Sequence, residues 1–171
     1  YAIIEERFGK KMPDDIRARM HAALEMHLAE AGMPRIEGVI DVLEALASKS
    51  CVASNSSHDY LRLVLGHSEL APKFPGVIFS SYDVARPKPH PDLFLHAAQQ
   101  LGAAPADCTV IEDSVHGVTA GVAAGMRVIG FSGGGHCTEG HADRLIAVGA
   151  QSVCADMREV AAILAANGYL R

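Results

Sequence analysis

The sequence predicts an α/β protein that consists of a doubly wound parallel sheet and a small helical part. Two observations lead to this fold class: short apolar runs alternate with helical segments along most of the chain, and a polar turn follows several of the apolar runs. Such alternation implies right-handed strand–helix–strand units, and short apolar strands fit a sheet that helices cover on both faces. Polar residues are then expected beyond the carboxyl ends of the strands, where open parallel sheets form their sites.

The first predicted element is an amphipathic helix over residues 16–31, because Pro13 and the acidic pair after it favour a helix start and Gly32 favours a helix end. This helix precedes any predicted strand, so it has no place in the alternating pattern. We therefore expect residues 1–35 to belong to a separate helical part and residues 36–171 to form the α/β part.

The alternating pattern begins after a second helix, which apolar residues on one face predict over residues 39–48. The apolar run 51–53 leads into Ser54-Asn55-Ser56-Ser57, which indicates a strand that ends in a polar turn. A helix over residues 58–66 and a short apolar strand over residues 77–79 follow.

The second half of the chain continues the alternation. Pro91 favours the start of a helix over residues 92–101, and Gly102 favours its end. The later elements are a strand over 108–111, a helix over 115–124, a strand over 128–131, a helix over 142–148, an edge strand at Val153 and a helix over 156–166.

The composition limits the partners of the chain. Its 171 residues suffice for one domain with a small appendage, and its formal net charge of −5 argues against a nucleic acid as partner. No apolar run approaches the roughly 18 residues of a transmembrane helix, so we expect no membrane partner. The cysteines form no C-x-x-C pair and indicate no disulfide framework, which fits a reducing cytoplasm best.

The turn Ser54-Asn55-Ser56-Ser57 has two interpretations. Its residue types are preferred helix caps, and capping alone would explain them. The alternative is an anion cradle, in which a hydroxyl group and successive backbone N–H groups at a helix start bind a phosphate.

Two charged features also have alternative interpretations. Glu112-Asp113 follows an apolar strand and opens a helix, so the two acids either complement the helix dipole or supply the carboxylate oxygens that Mg²⁺ prefers. Lys88 stands between Pro87 and Pro89. It is either a surface lysine in a stiff loop or a fixed ammonium that binds phosphate as a point charge.

Histidines are scattered among the predicted loops and helices. His136, Cys137 and His141 follow a glycine-rich run, but their spacing matches no standard transition-metal site, and we interpret the segment as a solvated loop. His90 and His116 lie near the charged features in the sequence and are further candidates for substrate contact.

The order of these features resembles the haloacid dehalogenase superfamily. The resemblance rests on residues 52–56 with the hydroxyl turn, residues 88–92 with Lys88, and residues 110–114 with the acidic pair, followed by Gly117 and Gly121. It runs from about residue 10 to residue 166. The subgroup with a small helical cap, which includes beta-phosphoglucomutase-like proteins and sugar-phosphate phosphatases, is the most similar.

The resemblance implies that residues 1–35 are a remnant of the cap and that residues 36–171 are the core. Ile36-Glu37-Gly38-Val39 resembles the return of the chain from the cap to the core.

The resemblance also implies a role for each site residue. Ser54 would hydrogen-bond the transferring phosphoryl group, and Asn55 and Ser56 would complete the phosphate cradle. Lys88 would pair with the nucleophile and with the phosphoryl oxygens. Asp113 would bind Mg²⁺ directly, and Glu112 would bind it directly or through water.

One motif of the superfamily, D-x-D-x-T/V on the first strand, is not found in the chain. It carries the nucleophilic aspartate and the aspartate that acts as general acid and base, whereas Asp14-Asp15 has the wrong spacing and starts a helix. We expect the native protein to carry this strand in further N-terminal residues. We also expect a gap in the core between the strands that end at Ser54 and Ile111.

These features predict the Mg²⁺-dependent hydrolysis of a small phosphate monoester by a monomeric protein, and the resemblance implies a phosphorylated sugar or sugar acid as substrate. A phosphosugar mutase shares the motifs and is one alternative. A non-catalytic protein that binds a phosphorylated ligand through Ser54 and Lys88 is another. Dehalogenases need no Mg²⁺, so the pair Glu112-Asp113 argues against that activity.

Overall fold

The computed structural model of the protein describes residues 6–68 and 70–171. Within these ranges, helices and strands alternate after an initial helical segment. The main helices are α1 (Ile16–Ala31), α2 (Val39–Ala45), α3 (His58–Gly66), α4 (Asp92–Leu101), α5 (Val115–Ala123), α6 (His141–Ala147) and α7 (Met157–Ala166). The strands are β1 (Val52–Ser54), β2 (Ile78–Ser80), β3 (Thr109–Glu112), β4 (Arg127–Phe131) and β5 (Ser152–Cys154).

The described strands form two parallel sheets. β1 pairs with β2, and Ser54 lies opposite Ser80 at the carboxyl end of this pair. The other sheet has the order β3-β4-β5, with Val110 opposite Val128 and Gly130 opposite Val153. Every pair is parallel and helices connect the strands, so the predicted α/β class is confirmed.

Strand β4 shows how both faces of the larger sheet are covered. Val128 packs into one apolar cluster with Val118 of α5 and Leu145 of α6. The next residue, Ile129, packs into a second cluster with Val160 of α7. Successive side chains of a strand point to opposite faces, so this alternation places helices on both sides of the sheet.

A gap separates the two sheets. It is a cavity of about 580 Å³, and residues of β1 and β3 line it, including Ala53 and Val110. The cysteines just before these strands, Cys51 and Cys108, also face it. Its remaining walls are largely apolar side chains of α2 and α4. The gap lies where the sequence analysis expects one.

Side-chain caps fix the starts of two helices that border the sheet edge. The Ser57 hydroxyl accepts a hydrogen bond from the Tyr60 backbone N–H at the start of α3, at 3.3 Å. The Ser114 hydroxyl accepts one from the Gly117 backbone N–H at the start of α5, at 3.0 Å. Capping therefore explains Ser57 in the polar turn.

The predicted bounds of α1, α3 and α4 match the structure, and two systematic differences occur elsewhere. Strands β1, β2 and β3 begin and end one residue later than predicted, because Ser54, Ser80 and Glu112 take part in the parallel ladders. The helix predicted over residues 39–48 ends at Ala45, since the next residue, Leu46, forms an antiparallel bridge with Leu170.

Helix α1 contacts α3, and its Leu28 is buried. The division into residues 1–35 and 36–171 stays a prediction, and residues 1–5 of that division lie outside the described residues. In the part of the chain that the structure describes, no helix has both the length and the apolar content that a membrane crossing requires.

Candidate active site

The predicted site residues meet at the carboxyl ends of β1 and β3. An open cleft of about 510 Å³ is lined by Ser54 and Asn55 after β1, by Lys88, and by Glu112 and Asp113 at the end of β3. These segments are far apart in the sequence, and the parallel arrangement of the strands brings them to one edge.

Lys88 is buried, with 8% of its surface exposed. Its ammonium group donates a hydrogen bond to the Ala53 carbonyl oxygen at 2.9 Å and forms an ion pair with the Glu112 carboxylate. It also lies 4.4 Å from the centre of the Phe94 ring, a cation–π contact. A buried ammonium with this many partners occupies a fixed position, so the interpretation of Lys88 as a solvated surface residue is excluded.

The side chain of Asn55 holds the backbone of Lys88. Its Oδ1 atom accepts a hydrogen bond from the Lys88 N–H at 3.0 Å, and its Nδ2 atom donates one to the Lys88 carbonyl oxygen at 3.1 Å. The resemblance implied a place for Asn55 in the phosphate cradle. No pattern in the sequence indicates the amide clamp, because it joins positions that are 33 residues apart.

Glu112 lies against the start of α5. Its Oε2 atom accepts a hydrogen bond from the Ser114 hydroxyl at 3.0 Å, while its Oε1 atom contacts Lys88. A Cβ atom at Gly117 would lie 2.0 Å from the Glu112 carboxyl carbon, so only glycine leaves room for the carboxylate there. The helix start also favours negative charge through its dipole.

Asp113 is more open than Glu112, with 49% of its side chain exposed. Its Oδ2 atom lies 3.4 Å from Nε2 of His136. Its backbone carbonyl oxygen lies 2.7 Å from Nε2 of His141, the first residue of α6. The position of Asp113 is therefore tied to the segment after β4, which the sequence analysis did not connect with the site.

Ser54 and Ser56 differ in their relation to the cleft. Ser54 lines it, and its hydroxyl oxygen accepts a hydrogen bond from the Ser56 backbone N–H at 3.2 Å. The carbonyl oxygen of Ser56 accepts a hydrogen bond from the Ser80 hydroxyl at 2.7 Å. Ser56 is not among the residues that line the cleft. Among the histidine candidates, His116 lines the cleft and His90 does not.

The donor set of the cleft suits a magnesium ion. Glu112 and Asp113 both line the cleft, and hard divalent cations of this kind bind carboxylate oxygens rather than nitrogen or sulfur. The Glu112 carboxylate lies in the space that a side chain at position 117 would otherwise fill. The glycine therefore makes room for an acidic side chain at position 112.

The amino-acid sequence of this chain is similar to sequences of known proteins. Residues 4–125 match the family of haloacid dehalogenase-like hydrolases. A 6-phosphogluconate phosphatase from Escherichia coli is 34% identical over 134 residues, which are 78% of this chain and 61% of that protein. The chain therefore spans less than two thirds of the length of this relative.

Solved structures agree with the family match. A haloacid dehalogenase-like protein from Agrobacterium tumefaciens is 37% identical, with a TM-score of 0.80 over 98% of this chain and 76% of that chain. A hydrolase of the same family from Deinococcus radiodurans, solved with bound phosphate and sodium, is 34% identical, with a TM-score of 0.73 over 99% of this chain and 75% of that chain.

Proposed function

This chain belongs to the haloacid dehalogenase-like hydrolase family, and we propose that the protein is a Mg²⁺-dependent phosphatase that acts on a small phosphorylated metabolite. The observation that carries the proposal is that Ser54, Lys88, Glu112 and Asp113 line one cleft at the edge of the sheet. A hydroxyl group, a fixed ammonium and two carboxylates are the groups that phosphoryl transfer requires for positioning and charge neutralisation.

Each group has a role that its surroundings support. The Ser54 hydroxyl donates a hydrogen bond to a phosphoryl oxygen, since its oxygen already accepts the Ser56 N–H. The Lys88 ammonium neutralises charge that develops on the phosphoryl group, and the Asn55 clamp keeps it in place. Glu112 and Asp113 would hold Mg²⁺, and the bound ion would supply Lewis-acid stabilisation of the phosphoryl oxygens.

The nucleophile belongs to a strand that fills the gap between β1 and β3. A strand there would pair with both half-sheets, satisfy their backbone groups, and end at the cleft beside Lys88 and Asp113. In the proposed reaction, an aspartate on this strand attacks phosphorus and the alcohol leaves with a proton from a second aspartate. Water then hydrolyses the acyl phosphate to inorganic phosphate.

A phosphorylated sugar or sugar acid is the proposed substrate class. The E. coli relative is a 6-phosphogluconate phosphatase, and its similarity covers most of this chain. The cleft of about 510 Å³ is lined by polar groups and by the apolar side chains of Ile36, Phe131 and Met157, and its size suits a small substrate.

The test is phosphate release by the full-length protein from 6-phosphogluconate, hexose phosphates and a nucleoside monophosphate, with and without Mg²⁺. We expect release to require Mg²⁺ and to fall by about 100-fold or more in Lys88→Ala. The matched control is Lys73→Ala, because Lys73 also pairs with a carboxylate, that of Glu44, away from the cleft.

A second variant covers the case in which Lys88→Ala does not fold. Asn55→Asp keeps the acceptor for the Lys88 N–H and loses the donor to the Lys88 carbonyl oxygen, so we expect a folded protein with reduced release. Asn167→Asp loses a similar donor to the Ile163 carbonyl oxygen far from the cleft and should retain activity. Phosphate that moves within the substrate instead of being released would indicate a mutase, and binding without reaction would contradict the enzyme.

A further inference from the structure

The segment between β4 and α6 brings three metal-binding side chains together. His136 and Cys137 lie in the loop, and His141 is the first residue of α6. One ligand atom from each lies within 4.8 Å of the others. The spacing of these residues fits no standard motif and therefore predicted a solvated loop. The folded loop nevertheless brings the three side chains close together.

One distance within the cluster already suits a tetrahedral zinc ion. Cys137 Sγ lies 3.7 Å from His136 Nε2. Bond lengths of about 2.3 Å to sulfur and about 2.1 Å to nitrogen place two such ligand atoms roughly 3.6 Å apart on one tetrahedral ion. Little movement is therefore needed for both atoms to bind the same ion.

Gly134 makes room for this arrangement. A Cβ atom at this position would lie 2.8 Å from Cε1 of the His136 ring and 3.4 Å from Cys137 Sγ. The ring of His136 and the thiol of Cys137 therefore occupy the space that a side chain at Gly134 would take. Because position 134 has no side chain, the His136 ring and the Cys137 thiol can lie close to each other.

His141 has the outer hydrogen bond that is typical of a metal-bound histidine. One ring nitrogen, Nε2, lies 2.7 Å from the Asp113 carbonyl oxygen and donates its N–H to it. The other nitrogen, Nδ1, lies 3.2 Å from Nη2 of Arg144. A metal at Nδ1 would displace this contact, and the Arg144 guanidinium would keep the Thr138 hydroxyl and the Glu139 carbonyl oxygen as partners.

We propose that His136, Cys137 and His141 form a zinc site beside the catalytic cleft, with the fourth position open to water. Thiolate and imidazole ligands select zinc over magnesium, whereas the oxygen ligands of Glu112 and Asp113 select magnesium. The two sites therefore differ in ligand chemistry, although Asp113 joins them twice: its backbone carbonyl oxygen contacts His141, and its Oδ2 atom lies 3.4 Å from Nε2 of His136. Nothing in this site depends on the phosphatase activity.

The experiment uses Co²⁺ as a spectroscopic probe in the full-length protein. We expect a single equivalent of Co²⁺ to give tetrahedral visible bands and a near-ultraviolet charge-transfer band from the thiolate. We also expect Zn²⁺ to abolish both. Cys137→Ser should remove the charge-transfer band, and His141→Gln should weaken binding by more than about tenfold.

Matched controls address the other thiols and imidazoles. Cys108→Ser and His67→Asn change the same residue types outside the cluster and should leave the spectrum and the affinity unchanged. The proposal is wrong if the wild-type protein shows no thiolate band, or if the band persists in Cys137→Ser. Loss of the band in the Cys108 variant would also overturn it. Circular dichroism of each variant confirms that it is folded.

Discussion

At the scale of single residues, Gly117 determines where the carboxylate of Glu112 lies. The carboxylate occupies the volume that a side chain at position 117 would need, and it contacts both Lys88 and Ser114. A glycine inside a helix costs about 1 kcal/mol relative to alanine, so its use here favours the site over the stability of the helix.

Gly117→Ala is therefore expected to displace Glu112. The added methyl group would lie 2.0 Å from the Glu112 carboxyl carbon, and the carboxylate must leave its pair with Lys88. We expect Mg²⁺ affinity and phosphate release to fall, measured by titration of the metal in the activity assay.

The control for this change is Gly66→Ala, in which the glycine also lies in a helix and has open space around its Cβ position. This variant should keep its activity and be as stable as the wild type or more stable. Full activity in Gly117→Ala would show that the carboxylate of Glu112 can work from another position.

The sequence indicated which side chains would meet at one edge of the sheet better than it indicated their contacts. Ser54, Lys88, Glu112 and Asp113 stand out because their types and order form a pattern along the chain. The Asn55 clamp and the contact between His141 and Asp113 depend on which loops meet in space. Residues 33 and 28 positions apart carry no local signal of such contacts.

At the scale of elements, Asp83 joins the end of β2 to the start of α3. Its Oδ1 atom lies 2.8 Å from Nε2 of His58, and its Oδ2 atom accepts the Ser80 backbone N–H at 2.8 Å. The hydrogen bond from His58, followed by that from Ser80, lowers the pKa of Asp83 below its ordinary value of 3.8. These contacts lie next to the polar turn that carries Ser54, because α3 begins directly after that turn.

This lowered pKa predicts a pH-dependent contribution to stability. The folded state favours the Asp83 carboxylate, so the contribution is complete above the unfolded pKa of 3.8 and is lost as the pH falls through the lower folded pKa. Asp83→Asn should reduce the free energy of unfolding at neutral pH, and its difference from the wild type should shrink below about pH 4.

Urea unfolding at several pH values measures this difference. Asp59→Asn, which removes the exposed carboxylate of Asp59 on α3, controls for the loss of one negative charge. An Asp83→Asn variant with wild-type stability at neutral pH would contradict a stabilising role for the contacts with His58 and Ser80.

The sequence did not predict where an element ends when a contact with a distant segment determines that end. Helix α2 is the example. Apolar spacing continues through Leu46, so a longer helix was predicted there. The backbone instead becomes extended at Leu46 and pairs with Leu170, which is 124 positions later in the sequence. No local propensity in residues 39–48 contains this information.

At the scale of the whole molecule, residues near position 169 connect segments that are far apart in the sequence. Tyr169 donates a hydrogen bond from its hydroxyl to the Asp107 carbonyl oxygen and accepts one from the Thr109 hydroxyl, each at 3.0 Å. The Ala47 backbone N–H also donates to the Tyr169 carbonyl oxygen at 2.8 Å. The C-terminal segment thus links the end of α2 to the beginning of β3.

Tyr169→Phe should lower the free energy of unfolding by about 1 kcal/mol, because the ring stays and the hydroxyl contacts are lost. Urea denaturation measures the change. Tyr82→Phe removes an exposed hydroxyl outside this segment and should have little effect. Equal stability of Tyr169→Phe and the wild type would show that water replaces both hydrogen bonds without loss.

Strand β4 is the most enclosed strand of the larger sheet. It has paired strands on both edges and buried clusters on both faces, so exposure of its amide groups requires both clusters to come apart. Among the described residues, β1 and β2 pair only with each other. We therefore expect the amide hydrogens of β4 to exchange with solvent more slowly than those of β1 and β2. Glu112 belongs to the strand beside β4 and Ser54 to β1, so the two sides of the cleft are expected to differ in their exchange rates.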